Sequence, residues 1–207
     1  MSPIAKVARP RREEILDEAT QLFAERGYEG TSMADLAECV GLRKASLFHH
    51  FTSKEVLYAA VLERLVVRVG QTVAAGTMAP GSFEERLDSI ADAITAVLCE
   101  QPFAARLLIR EVMDWGPIAR DHLADHILTV LGAAEAFIRM GQDEGAFVKM
   151  DPRQLVLSLV GIHFMPFAIG HVVKRFIGTD PANTAFVAPR AAAVKELVRR
   201  VSRGVKK

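Results

Sequence analysis

Four residues in one short stretch, Arg43, Lys44, Ser46 and His49, carry the most distinctive chemistry of this chain. Each offers a hydrogen-bond donor, and no acid stands among them. Guanidinium and ammonium groups pair with phosphate oxygens, and a guanidinium also matches the acceptor edge of guanine with two parallel hydrogen bonds. Held along one edge of a helix, such a set suits a DNA backbone and the base edges of its major groove. The alternative is a solvated basic face, and charge alone does not separate the two.

A second candidate is the pair His122 and His126, four residues apart on one expected helix face, a spacing that can chelate a metal. The sequence places no third ligand, so no metal is expected and solvent-facing or hydrogen-bonded histidines are the reading that stands. Cys39 and Cys99 have neither zinc-type spacing nor a disulfide framework around them, which fits a reducing cytoplasm. No nucleophile with a neighbouring base, no paired carboxylates and no phosphate-cradling glycine loop occur at usable spacing. An enzyme built on a helical bundle is therefore disfavoured, and no cofactor is expected.

Those groups must be positioned by helices, because the apolar residues recur at helical spacing throughout. The first expected helix covers about 11–26, with Ile15, Leu16, Ala19, Leu22 and Phe23 as its apolar stripe, Pro10 at its start and Gly27 at its stop. Ser32 with Asp35 forms a variant capping box for a second helix, whose buried face is Leu36, Ala37 and Val40, with Cys39 on or beside it. Gly41 makes the turn into a third helix over about 44–50, with Leu47, Phe48 and Phe51 directed inward. Ser53 caps a fourth helix that runs to about 75. This is a helix-turn-helix, motif about 32–51, in which the third helix rests on a small core and presents its basic edge.

Beyond a loop at 75–81, Ser82 and Glu85 cap a fifth helix and Pro102 opens a sixth. Trp115-Gly-Pro117 breaks the chain before a seventh helix at about 117–145. Asp151-Pro152 starts an eighth helix running to about 177; a loop at 178–189 precedes a ninth at about 190–202, with Val194, Leu197, Val198 and Val201 on one stripe. No strand pattern competes. The expected fold is all-α, about nine helices, with an N-terminal helix-turn-helix DNA-binding domain at 9–69 and a second helical domain at 70–207.

Composition agrees with a globular chain of 207 residues, half hydrophobic and a quarter charged. The net charge of +1 conceals a basic arm, Lys6, Arg9, Arg11 and Arg12, beside the motif, and a basic tail, Arg199, Arg200, Arg203, Lys206 and Lys207. No apolar run follows the basic N-terminus, so no signal peptide is expected. The apolar run 155–173 is interrupted by Ser158, His163, Pro166 and His171 and reads as a buried or interface helix, not a membrane span.

The motif resembles the TetR family of transcriptional regulators. The resemblance rests on Arg12-Glu-Glu-Ile-Leu-Asp-Glu-Ala-Thr-Gln-Leu-Phe-Ala-Glu-Arg-Gly-Tyr28, Gly30-Thr-Ser-Met-Ala-Asp-Leu-Ala37, Gly41-Leu-Arg-Lys-Ala-Ser-Leu-Phe-His-His-Phe51 and Ser53-Lys-Glu-Val-Leu57. It implies that Lys44 and Ser46 approach bases and phosphates, with His49 near the backbone. It also implies that Lys54 anchors a phosphate and that Thr31 touches one. The chain departs from the family at Arg43, where Ser or Thr is usual and a helix cap is lost, and at Phe48, where a Tyr hydroxyl is usual.

The resemblance further implies a small-molecule sensor in the later helices. Arg110, Asp114, Trp115 and His122 cluster in sequence at the 115–117 break; Met113, Phe137, Met140, His163, Phe164 and Phe167 are further ligand candidates, although aromatic and Met residues at helical spacing are usually core. The expected effector is a largely apolar small molecule with a polar or anionic group paired by Arg110. Excess apolar surface on the last two helices implies a two-fold homodimer, and hence an inverted-repeat operator on double-stranded DNA. Ligand bound between the fourth and seventh helices would pivot the fourth and break the match to adjacent major grooves, about 34–36 Å apart. The expected function is a cytoplasmic repressor released by its effector. A regulator without a small-molecule ligand, or an activator, remains open beside it.

Overall fold

The protein is described here by a computed structural model covering residues 11–203, with side chains to residue 200. Lys6, Arg9, Pro10, Lys206 and Lys207 lie outside the described residues, as do the side chains of Val201 and Arg203. Among the described residues there are ten α-helices, one π-helical turn and no strand. The chain divides into two compact units between Leu62 and Glu63, inside its fourth helix.

In the N-terminal unit, α1 (Arg11–Arg26) buries Ile15, Leu16, Ala19, Leu22 and Phe23, the stripe expected from 3.6-residue periodicity. The box that caps α2 (Met33–Cys39) is complete: the Asp35 amide donates to Ser32 Oγ at 3.2 Å and the Ser32 amide donates to Asp35 Oδ2 at 2.8 Å. Gly41, at φ +64°, takes the left-handed conformation that lets α2 stop and the chain reverse. There the Leu42 amide donates to the Ala37 carbonyl at 2.8 Å. α3 (Lys44–His50) sends Leu47 into the core, fully buried, and Phe51 follows it at 2% exposure. α4 (Lys54–Thr77) closes this core with Leu57, Tyr58, Val61 and Leu62. Phe23, Tyr28 and Tyr58 form an aromatic cluster, with centroids 4.9 Å apart for the two pairs that include Tyr58.

The C-terminal unit is a layered helical bundle. α5 (Phe83–Glu100) is capped by Ser82 and Glu85, and α6 (Pro102–Asp114) begins on the proline expected at its first turn. Trp115 ends α6 in the left-handed region at φ +46°. The seventh expected helix starts differently from its pattern. A π-helical turn, Ala119–Leu123, precedes α7 (Ala124–Asp143), and Glu111 Oε1 accepts the Ala119 amide at 3.2 Å. The wider turn lets both Ala119 and Leu123 be fully buried. The core common to these helices includes Val73, Leu87, Ile90, Phe137, Ile138, Phe147, Leu155 and Val194.

The single helix expected at 152–177 is two: α8 (Pro152–Ala168) and α9 (Gly170–Ile177), bent 80° apart. No single helix among the described residues is long and apolar enough to cross a membrane. Pro166 lies inside α8 and has no N–H for the Ile162 carbonyl one turn earlier. The guanidinium of Arg190, from α10 (Thr184–Arg203), donates to that carbonyl instead. α10 itself starts before residue 190. Asn183 Oδ1 accepts the Ala185 amide at 2.9 Å, and Phe186 packs edge-on against Phe167. Pro189 is therefore tolerated inside the helix, because only one backbone bond near its start is lost.

The tail arginines are structural where they are described. Arg199 donates to both carboxylate oxygens of Asp88 on α5, at 2.6 to 3.0 Å, and Arg200 pairs with Glu196. Arg199 is held protonated above its ordinary range by that same hydrogen-bonded pairing.

Candidate nucleic-acid interface and ligand cavity

On the N-terminal unit, α3 lays out a basic, acid-free edge. Arg43, Lys44, His49 and His50 are exposed and Ser46 is half-buried. Arg43 occupies the N-cap position but makes no side-chain cap bond, so its guanidinium is left for other partners. Phe48, expected in the core, is 38% exposed beside Lys44, whose Nζ lies 6.0 Å from its ring centroid. The helix is too short to bury two adjacent apolar residues: Leu47 points in, so Phe48 cannot. An exposed ring next to cations suits apolar contact with a thymine methyl. Phe48 and His50 share this exposed edge, and the sequence pattern singled out neither as part of it. An exposed aromatic beside a buried Leu on a two-turn helix was the available signal.

Lys54 is held from two sides. Its Nζ donates to the Tyr28 carbonyl at 2.9 Å and sits 4.1 Å above the Tyr28 ring centroid. An ammonium so placed keeps further N–H groups for an outside acceptor. Thr31 departs from the expected phosphate contact. It is 1% exposed, and its hydroxyl donates to the Gly27 carbonyl at 2.8 Å, because it closes the end of α1 from within. Of the basic arm, Arg11 pairs with Glu14 and donates to the Val40 carbonyl at 2.5 Å, tying α1 to the end of α2; Arg12 lies over Phe51. Cys39, expected near the apolar face, is exposed, with its Sγ 3.7 Å from Glu18 Oε2. Burial first and Glu18 second push its thiol pKa up, which makes it a poor nucleophile.

The C-terminal unit contains a cavity with an empty volume of about 670 Å³, part of it open to solvent. Helices α4, α5, α7, α8 and α10 line it. Three of the ligand candidates, Phe137, His163 and Phe164, are on its wall. The cluster at the 115–117 break is not. Arg110 and His122 are exposed, Met113 is 78% and Trp115 51% exposed, and none lines the cavity. Trp115 stands out at a chain reversal, where its backbone turns the side chain away from the bundle. Phe167 is buried against Phe186 and also stays off the wall. The lining missed by the sequence, such as Val73, Ile94, Val130, Leu131 and Leu159, consists of ordinary apolar stripe residues.

No charged residue lines this cavity. His163 is 5% exposed; burial pushes its pKa down, with the nearby Arg190 charge acting in the same direction. Its Nδ1 lies 2.7 Å from the Leu159 carbonyl. His126 directs Nδ1 at the His122 carbonyl, 3.4 Å away, and Nε2 at Glu63, 3.7 Å away, so its two nitrogens are turned to protein groups. Among the described residues no group of three or more His, Cys, Asp or Glu side chains converges as a metal site would require.

Comparison with known proteins places both units. Residues 15–61 match the family model described as bacterial regulatory proteins, tetR family. Residues 84–198 match the model described as tetracyclin repressor-like, C-terminal domain. The HTH-type transcriptional repressor AcnR of Corynebacterium diphtheriae is 44% identical over 64 residues, 31% of this chain and only 34% of that protein. The HTH-type transcriptional regulator RutR of Escherichia coli O157:H7 is 28% identical over 167 residues, 76% of this chain and 75% of that one. Among solved structures, the ketosteroid transcriptional regulator KstR2 of Mycobacterium tuberculosis superposes with a TM-score of 0.78. The match has 18% identity and covers 98% of this chain and 100% of that chain, a likeness of fold.

Proposed function

This chain belongs to the TetR family of bacterial regulatory proteins, and from that membership we propose that it is a homodimeric repressor released from DNA by a small, uncharged effector. Arg43, Lys44, Ser46, His49 and Lys54 contact an inverted-repeat operator, with Phe48 and His50 beside them. The observation that carries this reading is the edge of α3, where exposed cations stand with no acid on the helix, over a core that fixes its orientation. The protein works where the chromosome is, in the cytoplasm.

The sensing half rests on the cavity. Its wall holds no cation, and Arg110 is in solvent, so the anionic group expected to pair with Arg110 has no place there. A buried charge without a partner is costly, so the effector is neutral. The cavity wall includes Val69, Val73 and Thr77 of α4, the same helix that begins at Lys54. Occupancy that shifts α4 favours the state that does not bind DNA, provided the ligand binds that state more tightly.

Dimerisation is supported by apolar side chains left uncovered on α8, α9 and α10. Leu157, Met165, Val172, Phe176 and Leu197 are 44 to 87% exposed. A second copy covers such a face in a four-helix arrangement.

The deciding experiment is DNA binding by the purified protein to the region upstream of its own gene. Saturable binding that protects an inverted repeat and weakens steeply with salt is the expected result. Equal affinity for unrelated DNA, or none at low salt, overturns the reading.

A further inference from the structure

The cavity presents hydrogen-bond acceptors and no donor. Only two of its lining residues, Thr77 and His163, carry polar side-chain atoms. Thr77 Oγ1 uses its single proton on the Ala74 carbonyl at 2.9 Å, which leaves lone pairs only. At His163, two acceptors 2.7 Å apart would repel, so Nδ1 carries the proton that the Leu159 carbonyl accepts. The ring is 5% exposed, and burial disfavours a second proton. Nε2 is therefore a buried lone pair, and it has no hydrogen-bond partner. The nearby Ala91 carbonyl already accepts Thr95 Oγ1 at 2.8 Å. An unpartnered acceptor in a buried site wants a donor.

We propose that the effector is an apolar molecule bearing a hydroxyl, which donates to His163 Nε2, and that the cavity discriminates against the matching ketone and carboxylate. This rests on the reading of the cavity as the effector site. A ketone brings another acceptor to a wall of acceptors. A carboxylate adds a charge that no lining residue pairs. An alcohol supplies the missing donor and leaves its own oxygen free. The rest of the wall, Val73, Ile90, Val130, Leu159 and Phe137 among it, asks only for hydrocarbon.

The test is calorimetric titration of the full-length protein with four molecules of one skeleton: menthol, menthone, p-menthane and p-menthane carboxylate. Menthol is expected to bind about tenfold tighter than menthone, the factor of one neutral hydrogen bond in a buried site, and the carboxylate most weakly. In His163→Leu the alcohol preference disappears while p-menthane still binds. If that variant does not fold, nitrogen NMR of the wild type gives the same information, since the Nε2 signal moves when menthol donates to it and not when menthone binds. Equal binding of menthol and menthone, or tighter binding of the carboxylate, overturns the donor requirement and leaves the cavity as the effector site. No binding by any of the four overturns both.

Discussion

At the scale of single residues, types and surroundings divide the labour of α3. Arg43 and Lys44 are exposed cations with no acid on their helix, whereas Lys54 is tethered to the Tyr28 carbonyl and ring. Lys44→Ala is expected to weaken operator binding and lower its salt slope by about one. Arg43→Ala is expected to lose about 1–3 kcal/mol of discrimination at one base pair, read by fluorescence anisotropy on operator variants. Unchanged affinity in both variants, with circular dichroism intact, counts against the interface. His163 gives a pH signature of its own. Its folded-state pKa is pushed below the ordinary histidine value by burial, so the unfolded chain takes up a proton more readily. Its contribution is complete above about pH 6.5 and declines as pH falls below it toward the folded pKa. Melting temperature should therefore fall between about pH 7 and pH 5, and His163→Leu should flatten that fall. The exposed carboxylates of the capping boxes, Asp35 and Glu85, are held below their usual range by their serine partners and act at lower pH.

At the scale of elements, the α8–α10 pair shows how a local defect is repaired at a distance. Pro166 removes the donor for the Ile162 carbonyl, and Arg190 supplies one from α10. Arg190→Met should cost about 1–3 kcal/mol, the penalty of an unsatisfied carbonyl in a partly buried site. Pro166→Ala restores the amide donor, so the double variant should be less destabilised than the sum of the two, by urea denaturation. Additive losses would show that the guanidinium serves some other purpose. Gly141 is a second such dependence, since a Cβ there would overlap the Phe147 ring that packs on Phe137.

At the scale of the whole molecule, function is expected to need two copies. Leu157 and Leu197 are exposed at 56% and 44% and lie off the cavity wall. The Leu157→Asp, Leu197→Asp variant should be monomeric by light scattering, keep its helical circular dichroism and lose most operator affinity. A variant that stays dimeric, or a monomer that binds the operator as tightly as wild type, would reject this face as the interface.

The all-α class, the helix-turn-helix and the basic edge of α3 were legible in the sequence because each depends on neighbours a few residues away. Stripes such as Ile15 to Phe23, the Ser32–Asp35 and Ser82–Glu85 caps and the turn at Gly41 are local physics. The arm and tail arginines were visible as charge, but their acid partners, Glu14, Asp88 and Glu196, were not assigned to them beforehand. What lay beyond reach was settled by packing between distant segments. Pro166 marked a disturbance in α8, yet only Arg190 across the bundle shows how the helix runs on to Ala168 before the chain bends. Phe48 is exposed because burial is decided by which side of a short helix faces the core, and Thr31 is buried because its hydroxyl closes the end of α1 on the Gly27 carbonyl. The cavity proposed as the effector site was the hardest part to read. Polar and aromatic residues near Trp115 looked like a site by type, whereas the cavity is walled mostly by plain Val, Leu and Ile that no pattern separates from core, with Phe137, His163 and Phe164 among them. A void is an absence shared among five helices, and only their tertiary arrangement creates it.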